Sequence, residues 1–120
     1  MEKFYNILSH KTETNSHSYF ISLDNNHTLF KGHFPEFPVV PGALLVQMIR
    51  DLTESALNKK LRLTEATNVK FLKMLLPFEG TNVEVTIDIS EGENVKVKGT
   101  FKSGEIIYCK LSLIYTIDKN

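Results

Sequence analysis

Apolar and polar residues alternate along three consecutive segments in the C-terminal part of the chain. The segments are NVEVTIDI (82–89), NVKVKGTF (94–101) and IIYCKLSLIYTI (106–117). A period of two is typical of strands with one buried face. The residues predicted to face inward are Val83, Val85, Ile87, Ile89, Val95, Val97, Phe101, Ile107, Cys109, Leu111, Leu113, Tyr115 and Ile117. Because the links SEGEN and KSGE are short and polar, we predict a meander of three antiparallel strands.

Three more strands are predicted ahead of this meander. FYNILSHKT (4–12) and HSYFISLD (17–24) are joined by the polar turn ETNS, which favours a hairpin. A further strand is expected from Asn68 to Leu76, ending at Pro77.

Between these strands, the apolar spacing changes to that of a helix. Pro41 is expected at the first helical position, where a missing N–H costs nothing. A broad apolar stripe is formed by Leu44, Leu45, Met48, Ile49, Leu52 and Ala56. A polar line on another side is formed by Gln47, Asp51, Glu54 and Asn58. The stripe predicts a helix packed into the concave face of the sheet, which gives an α+β fold.

The composition excludes several classes of function. The chain has 120 residues, which suits one domain over 1–120, and its formal net charge is zero without a basic stripe, which argues against nucleic acid. No apolar run approaches the roughly 20 residues of a membrane span, and MEKFYNILSHKTETN lacks the features of a signal peptide. We therefore expect a cytoplasmic globular protein without a membrane span.

The remaining chemistry-bearing side chains give weak signals. His10, His17 and His27 show no ligand spacing such as HxH or HExxH, so we predict no metal site. The single cysteine, Cys109, falls in the inward register of a strand and is expected to be an inert core thiol. A basic group that would suit an acidic carrier protein comprises Lys59, Lys60, Arg62, Lys70 and Lys73.

The approach to the helix, KGHFPEFPVVPG (31–42), is the most informative segment. Prolines at 35, 38 and 41 restrict their own backbone conformation and that of the residues before them, so this approach to the helix is stiff. The first helical turn presents unpaired N–H groups, and Gly42 has no side chain to block them, which suits a carbonyl oxygen gaining negative charge. His33 could act as a general base, because the unperturbed pKa of a histidine is close to working pH, although the spacing alone leaves a structural role open.

GHFPEFPVVPGALLVQ resembles the signature of the 3-hydroxyacyl-acyl-carrier-protein dehydratases, GHFPGxPxxPGxLxxE. The segment NVKFLKMLLPFEG is similar to that family's KFRKPVVPGD-like strand. The shared signature residues are Gly32, His33, Phe34, Pro35, Pro38, Pro41, Gly42 and Leu44. The resemblance implies a hot-dog fold, in which an antiparallel sheet of about five to six strands wraps around one long central helix. It also implies a dimer with active sites at the interface.

The resemblance assigns roles to residues of this loop and helix. His33 would be the base at C2 of the substrate, the carbonyl of Val39 would orient its ring, and the Gly42 N–H would polarise the thioester. The acyl chain would lie in a tunnel, without any cofactor beyond the phosphopantetheine of acyl carrier protein. The expected substrate-binding residues are Val39, Phe34, Leu45, Ile49 and Phe71.

The sequence departs from the family signature at its acidic position. Gln47 stands fourteen positions after His33, where the family has an acid, and Asp51 follows one helical turn later. An amide cannot donate an acidic proton as a carboxylic acid does. Asp51 is therefore the candidate for the catalytic acid. The alternative is that Asp51 is only one of the solvated residues of the polar line. A third possibility is that a related subunit supplies a glutamate as the acid. A second departure is Glu36, which replaces a usual glycine and receives no chemical role.

Three functions remain open at the level of sequence. The leading one is dehydration of a 3-hydroxyacyl thioester to the trans-2-enoyl product in fatty-acid or related lipid or polyene biosynthesis. A hot-dog thioesterase is the enzymatic alternative, since one fold hosts both reactions. The third is a non-catalytic subunit that completes the active site of a partner.

Overall fold

The computed structural model describes residues 4–24, 27, 40–76 and 82–118. Within these ranges, six strands and one helix are present. Their bounds are β1 Tyr5–Glu13, β2 Ser16–Leu23, α1 Gly42–Leu57, β3 Leu61–Phe71, β4 Val83–Glu91, β5 Val95–Ser103 and β6 Ile106–Ile117. This arrangement confirms the predicted α+β fold, including the N-terminal hairpin and the C-terminal meander. No helix in the described ranges is long and apolar enough to cross a membrane.

The strands form one antiparallel sheet in the order β1-β2-β4-β5-β6-β3. The β1–β2 hairpin and the β4–β5–β6 meander are local, whereas two pairings join distant parts of the chain. Ser16 of β2 pairs with Asp88 of β4, and Leu61 of β3 pairs with Ile117 of β6. Strands β1 and β3 are therefore the two edges of the sheet.

The core lies between α1 and the inward faces of β2, β4, β5 and β6. Most residues predicted to face inward are buried, including all those of β4 and β5. Ile117 is an exception, because its side chain is 42% exposed. The alternation predicts which face of the sheet a side chain lies on, but it does not predict whether other residues pack over the last residue of a strand. Tyr108 is buried although it lies out of phase, because the β5–β6 register shifts there and Phe101 pairs with Cys109.

The helix begins one residue later than predicted. Pro41 is the N-cap residue with φ −61° and ψ 144°, so its backbone is extended rather than helical. Its carbonyl still accepts hydrogen bonds from the Leu44 and Leu45 N–H groups, at 3.0 and 3.4 Å. The predicted stripe is confirmed, with Leu45, Met48, Ile49 and Leu52 buried and Leu44 and Ala56 partly buried.

The strand expected from Asn68 to Leu76 was placed wrongly. It runs from Leu61 to Phe71, and every residue after Leu61 is exposed. Such an edge strand has no buried face to impose alternation. Its pairing with β6 also shifts register between Leu63 and Glu65 and again between Ala66 and Asn68. These irregularities interrupt the alternation of side chains along β3, so the sequence gives little local signal for where the strand begins.

Candidate functional site

An apolar cavity of about 400 Å³ opens beside the first turn of α1. It lies between the N-terminus of the helix and the segment that follows β3. Its lining residues are Val40, Pro41, Gly42, Leu45, Phe71, Leu72, Lys73, Met74 and Leu75. Three of the residues predicted from the sequence, Gly42, Leu45 and Phe71, are thus brought together here.

Backbone hydrogen bonds hold the two walls of this cavity together. The Val40 N–H donates to the Leu75 carbonyl at 2.8 Å, which ties the approach to the helix to the segment after β3. The Leu72 and Lys73 N–H groups donate to the Tyr108 carbonyl at 2.8 and 3.2 Å, which fixes the same segment to β6. The cavity is therefore built on the edge of the sheet and not on a free loop.

Gly42 has a packing role beside its expected chemical one. A Cβ atom at this position would lie 2.5 Å from Cζ of Phe71, well inside contact distance. The absent side chain lets the Phe71 ring lie against the first helical turn. Gly42 is the first residue of α1, so no carbonyl of the helix precedes its own N–H, which a ligand in the cavity would meet as a donor.

The two expected substrate-binding residues of the helix, Leu45 and Ile49, have different surroundings. Leu45 lines the cavity and is buried, whereas Ile49 is one turn deeper and is not among the lining residues. A Cβ on Gly99 of β5 would lie 2.7 Å from Cδ1 of Ile49, so the isoleucine packs directly on the sheet backbone. Ile49 thus belongs to the core in the described structure.

His33, Phe34 and Val39 lie outside the described residues, as does Glu36. Their predicted roles stay predictions. The described chain resumes at Val40, immediately before the cavity.

A scan against family models matches residues 9–108 to the ApeI-like family, described as ApeI dehydratase. The chain belongs to the ApeI-like dehydratase family. This confirms the resemblance inferred from the signature segment.

Curated relatives agree with this assignment. The chain is 31% identical over 107 residues to a 3-hydroxyacyl-[acyl-carrier-protein] dehydratase FabZ of Clostridium kluyveri (strain ATCC 8527 / DSM 555 / NBRC 12016 / NCIMB 10680 / K1), with 82% of this chain and 74% of the relative covered. It is 29% identical over 99 residues to FabZ of Geobacillus sp. (strain WCH70), with 77% and 68% covered.

Solved structures confirm the hot-dog fold. The dehydratase heterocomplex ApeI:P from Xenorhabdus doucetiae has a TM-score of 0.70 at 14% identity, and the match covers 92% of this chain and 96% of that one. A thioesterase superfamily protein from Shewanella loihica PV-4 has a TM-score of 0.58 at 13% identity, with 91% and 89% covered. At these identities the structural likeness establishes the fold alone.

Within this dehydratase-family chain, Gln47 and Asp51 are half-buried on α1. At a rise of about 1.5 Å per residue, Gln47 lies about 7.5 Å and Asp51 about 13.5 Å along the helix axis from Gly42. The Asp51 carboxylate is therefore remote from the Gly42 turn of its own chain.

Two tyrosines that the sequence analysis does not single out as site residues are influenced by the charge of Asp51. Burial, and then the Asp51 charge, raise the pKa of Tyr5 well above its ordinary value. Burial is also the main cause of the raised pKa of Tyr115. The positive charge of Arg50 lowers this pKa, whereas the negative charges of Glu54 and Asp51 raise it. Tyr5 begins β1 and Tyr115 lies in β6, so the tertiary fold brings two strands that are distant in sequence to one helical carboxylate. No local spacing indicates that approach.

Proposed function

We propose that this chain dehydrates a 3-hydroxyacyl thioester carried on acyl carrier protein to the trans-2-enoyl thioester. The observation that carries the proposal is the apolar cavity at Gly42, the last residue of the GHFPEFPVVPG segment. Its family membership and the FabZ relatives support the same reaction. The pathway is fatty-acid or related lipid biosynthesis.

In this mechanism, His33 removes the proton at C2 of the substrate. The carbonyl of Val39 orients the imidazole, and the Gly42 N–H hydrogen-bonds the thioester oxygen as it gains negative charge. Phe34, Leu45 and Phe71 contact the acyl or pantetheine chain, and Ile49 supports Leu45 from the core. The reaction needs no cofactor, because the phosphopantetheine arm belongs to the substrate.

The hydroxyl at C3 must leave with a proton, and Asp51 is the proposed donor. Gln47 occupies the usual acidic position and supplies a hydrogen bond only. Asp51 lies about 13.5 Å along the helix from Gly42 of the same chain, which supports the proposal that the acid acting beside one Gly42 comes from a second chain. In a dimer with a related subunit, a glutamate at that subunit's equivalent of Gln47 would supply the acid instead of Asp51.

The edge strand β3 supports pairing with a second chain. Its exposed apolar residues continue into the cavity wall, where Phe71, Leu72 and Met74 are 57%, 56% and 70% exposed. An exposed edge with apolar side chains favours addition of another strand. We therefore propose a dimer, either of two copies or with a related subunit. The similarity to the ApeI:P heterocomplex supports the second arrangement.

The basic side chains near this edge suit an acidic carrier protein. Lys73 lines the cavity and Lys70 precedes Phe71 in β3. Lys59 and Arg62 already contact Glu91 and Asp118, at 3.5 and 3.9 Å. Lys70 and Lys73 are consequently the better candidates for steering the carrier to the cavity. A cytoplasmic location, where such a carrier works, belongs to the same proposal.

The decisive experiment is hydration of a short trans-2-enoyl-acyl-carrier-protein by the purified chain, followed by loss of the conjugated thioester. We expect His33→Ala and Asp51→Asn each to lower turnover by roughly 10²–10⁴-fold, since each removes an acid–base group. His27→Ala serves as the matched histidine control and should retain the parent rate.

Other outcomes identify the alternatives. An inert parent that gains hydration in Gln47→Glu would replace the Asp51 assignment with that of a subunit requiring a partner's acid. Release of free thiol without hydration would show a thioesterase and overturn the dehydratase proposal.

A further inference from the structure

The β1–β2 hairpin brings together side chains that are distant from the cavity. Its register pairs His10 with Tyr19 and Thr12 with His17. Directly paired residues project from the same side of a sheet, as do residues two apart on one strand. All four side chains therefore share one face near the end of the hairpin.

Three donor atoms in this group form a nearly equilateral triangle. His10 Nε2 lies 3.3 Å from His17 Nδ1, and Thr12 Oγ1 lies 3.2 Å from the first nitrogen and 3.3 Å from the second. A tetrahedral ion with metal–nitrogen bonds of about 2.05 Å requires ligand atoms about 3.3 Å apart. The triangle thus has the dimensions of one face of a zinc coordination tetrahedron.

The two imidazole rings are held in place by an aromatic stack. The His10 ring lies 4.1 Å from the ring of the buried Tyr19, with 13° between their planes. The His17 ring is nearly parallel to that of Tyr19 at 14°, although its centroid is more distant at 6.3 Å. Neither ring needs to change its stacking for the two nitrogens to face each other.

We propose that the hairpin binds one Zn²⁺ ion through His10 Nε2 and His17 Nδ1, with the Thr12 hydroxyl as a third, weaker ligand. The remaining position is open to water. No group of three or more His, Cys, Asp or Glu side chains in the described part of the chain is placed to hold a metal, so this site depends on two imidazoles and a hydroxyl. It departs from the expectation of no metal site, because strand register and not sequence spacing brings the ligands together.

Such an ion would fasten an edge strand to its neighbour. β1 is exposed from Asn6 to Glu13, and in the sheet formed by the described residues it pairs with β2 alone. Metal bonds across the hairpin would join the two strands where β1 has little packing of its own. The proposed role is therefore structural and independent of the dehydratase site.

The test is calorimetric titration of Zn²⁺ alone into the parent chain at neutral pH, in a buffer that does not chelate the metal. We expect one ion per chain, with His10→Gln and His17→Gln each weakening binding at least tenfold. His27→Gln is the matched control and should bind like the parent. Absence of binding to the folded parent, or equal binding by all four proteins, would overturn the proposal and leave a hydrogen-bonded histidine pair.

A second measurement does not require the variants to fold. In the parent, Zn²⁺ should shift the imidazole NMR signals of His10 and His17 and slow amide exchange at Lys11 and Thr12. Shifts confined to the other histidines would place the ion elsewhere and contradict the assignment.

Discussion

Gly42 combines a packing constraint with a chemical one. Gly42→Ala would place a Cβ 2.5 Å from the Phe71 ring, but that ring is largely exposed and can rotate away. Because alanine is also the better helix former, we expect a stability change below about 1 kcal/mol. The displaced ring would occupy the cavity, so we expect hydration activity to fall by roughly 10²-fold.

The measurement is kcat/KM for enoyl-thioester hydration together with the urea midpoint. Gly92→Ala is the matched control, because its Cβ would meet nothing closer than the Asn94 carbonyl oxygen at 3.9 Å. Partial recovery in Gly42→Ala/Phe71→Ala is expected if the ring causes the loss. A Gly42→Ala variant with parental activity would refute this account.

At the scale of the elements, Gly99 sets how closely α1 approaches the sheet. Gly99→Ala would bring its Cβ to 2.7 Å from Cδ1 of the fully buried Ile49. Overpacking of this kind costs about 1–3 kcal/mol of the free energy of unfolding. We therefore expect Gly99→Ala to be clearly destabilised in chemical denaturation.

Ile49→Val removes the Cδ1 atom and should compensate. Alone it is expected to cost about 0.5–1.5 kcal/mol, as buried isoleucine truncations do. In the double variant, the loss should be smaller than the sum of the single losses, since the two atoms no longer collide. Strict additivity would mean that the helix and the sheet do not meet through this pair.

At the scale of the whole molecule, buried acids make the fold sensitive to alkali. Burial raises the pKa of the Cys109 thiol from 9.0 to about 11 and raises the pKa of Tyr115 above its usual 10.0. Since both groups are neutral when protonated, their contribution to stability is complete below about pH 9. It is lost as the pH rises through the folded-state pKa of each group.

We accordingly expect the urea midpoint to fall between about pH 9 and about pH 11. In Cys109→Ala the fall should begin nearer to about pH 10, because only the tyrosines remain. In Tyr115→Phe it should be shallower above about pH 10. A midpoint that stays level across this interval in the parent would contradict the prediction.

The elements that could be predicted from the sequence are the strands with one buried face and the helix with its apolar stripe. β4 and β5 follow the pattern because one face of each is covered by α1. β3 did not follow it, since an exposed edge with two register shifts gives no periodic signal. The Gly42–Phe71 contact depends on where β3 ends beside the helix, and the His10–His17 pair depends on the exact register of the β1–β2 hairpin; the sequence pattern specifies neither.

The strand order also has a consequence for how the chain folds during synthesis. In the sheet formed by the described residues, β3 pairs with β6 alone, so the β3–β6 pairing that sets Leu61 opposite Ile117 cannot form until Ile117 has left the ribosome. The intervening β4 and β5 form a local hairpin and provide the template on which β6 is added. The strand that carries Phe71 is thus among the last to be secured, and the cavity beside Gly42 is completed only when the meander is.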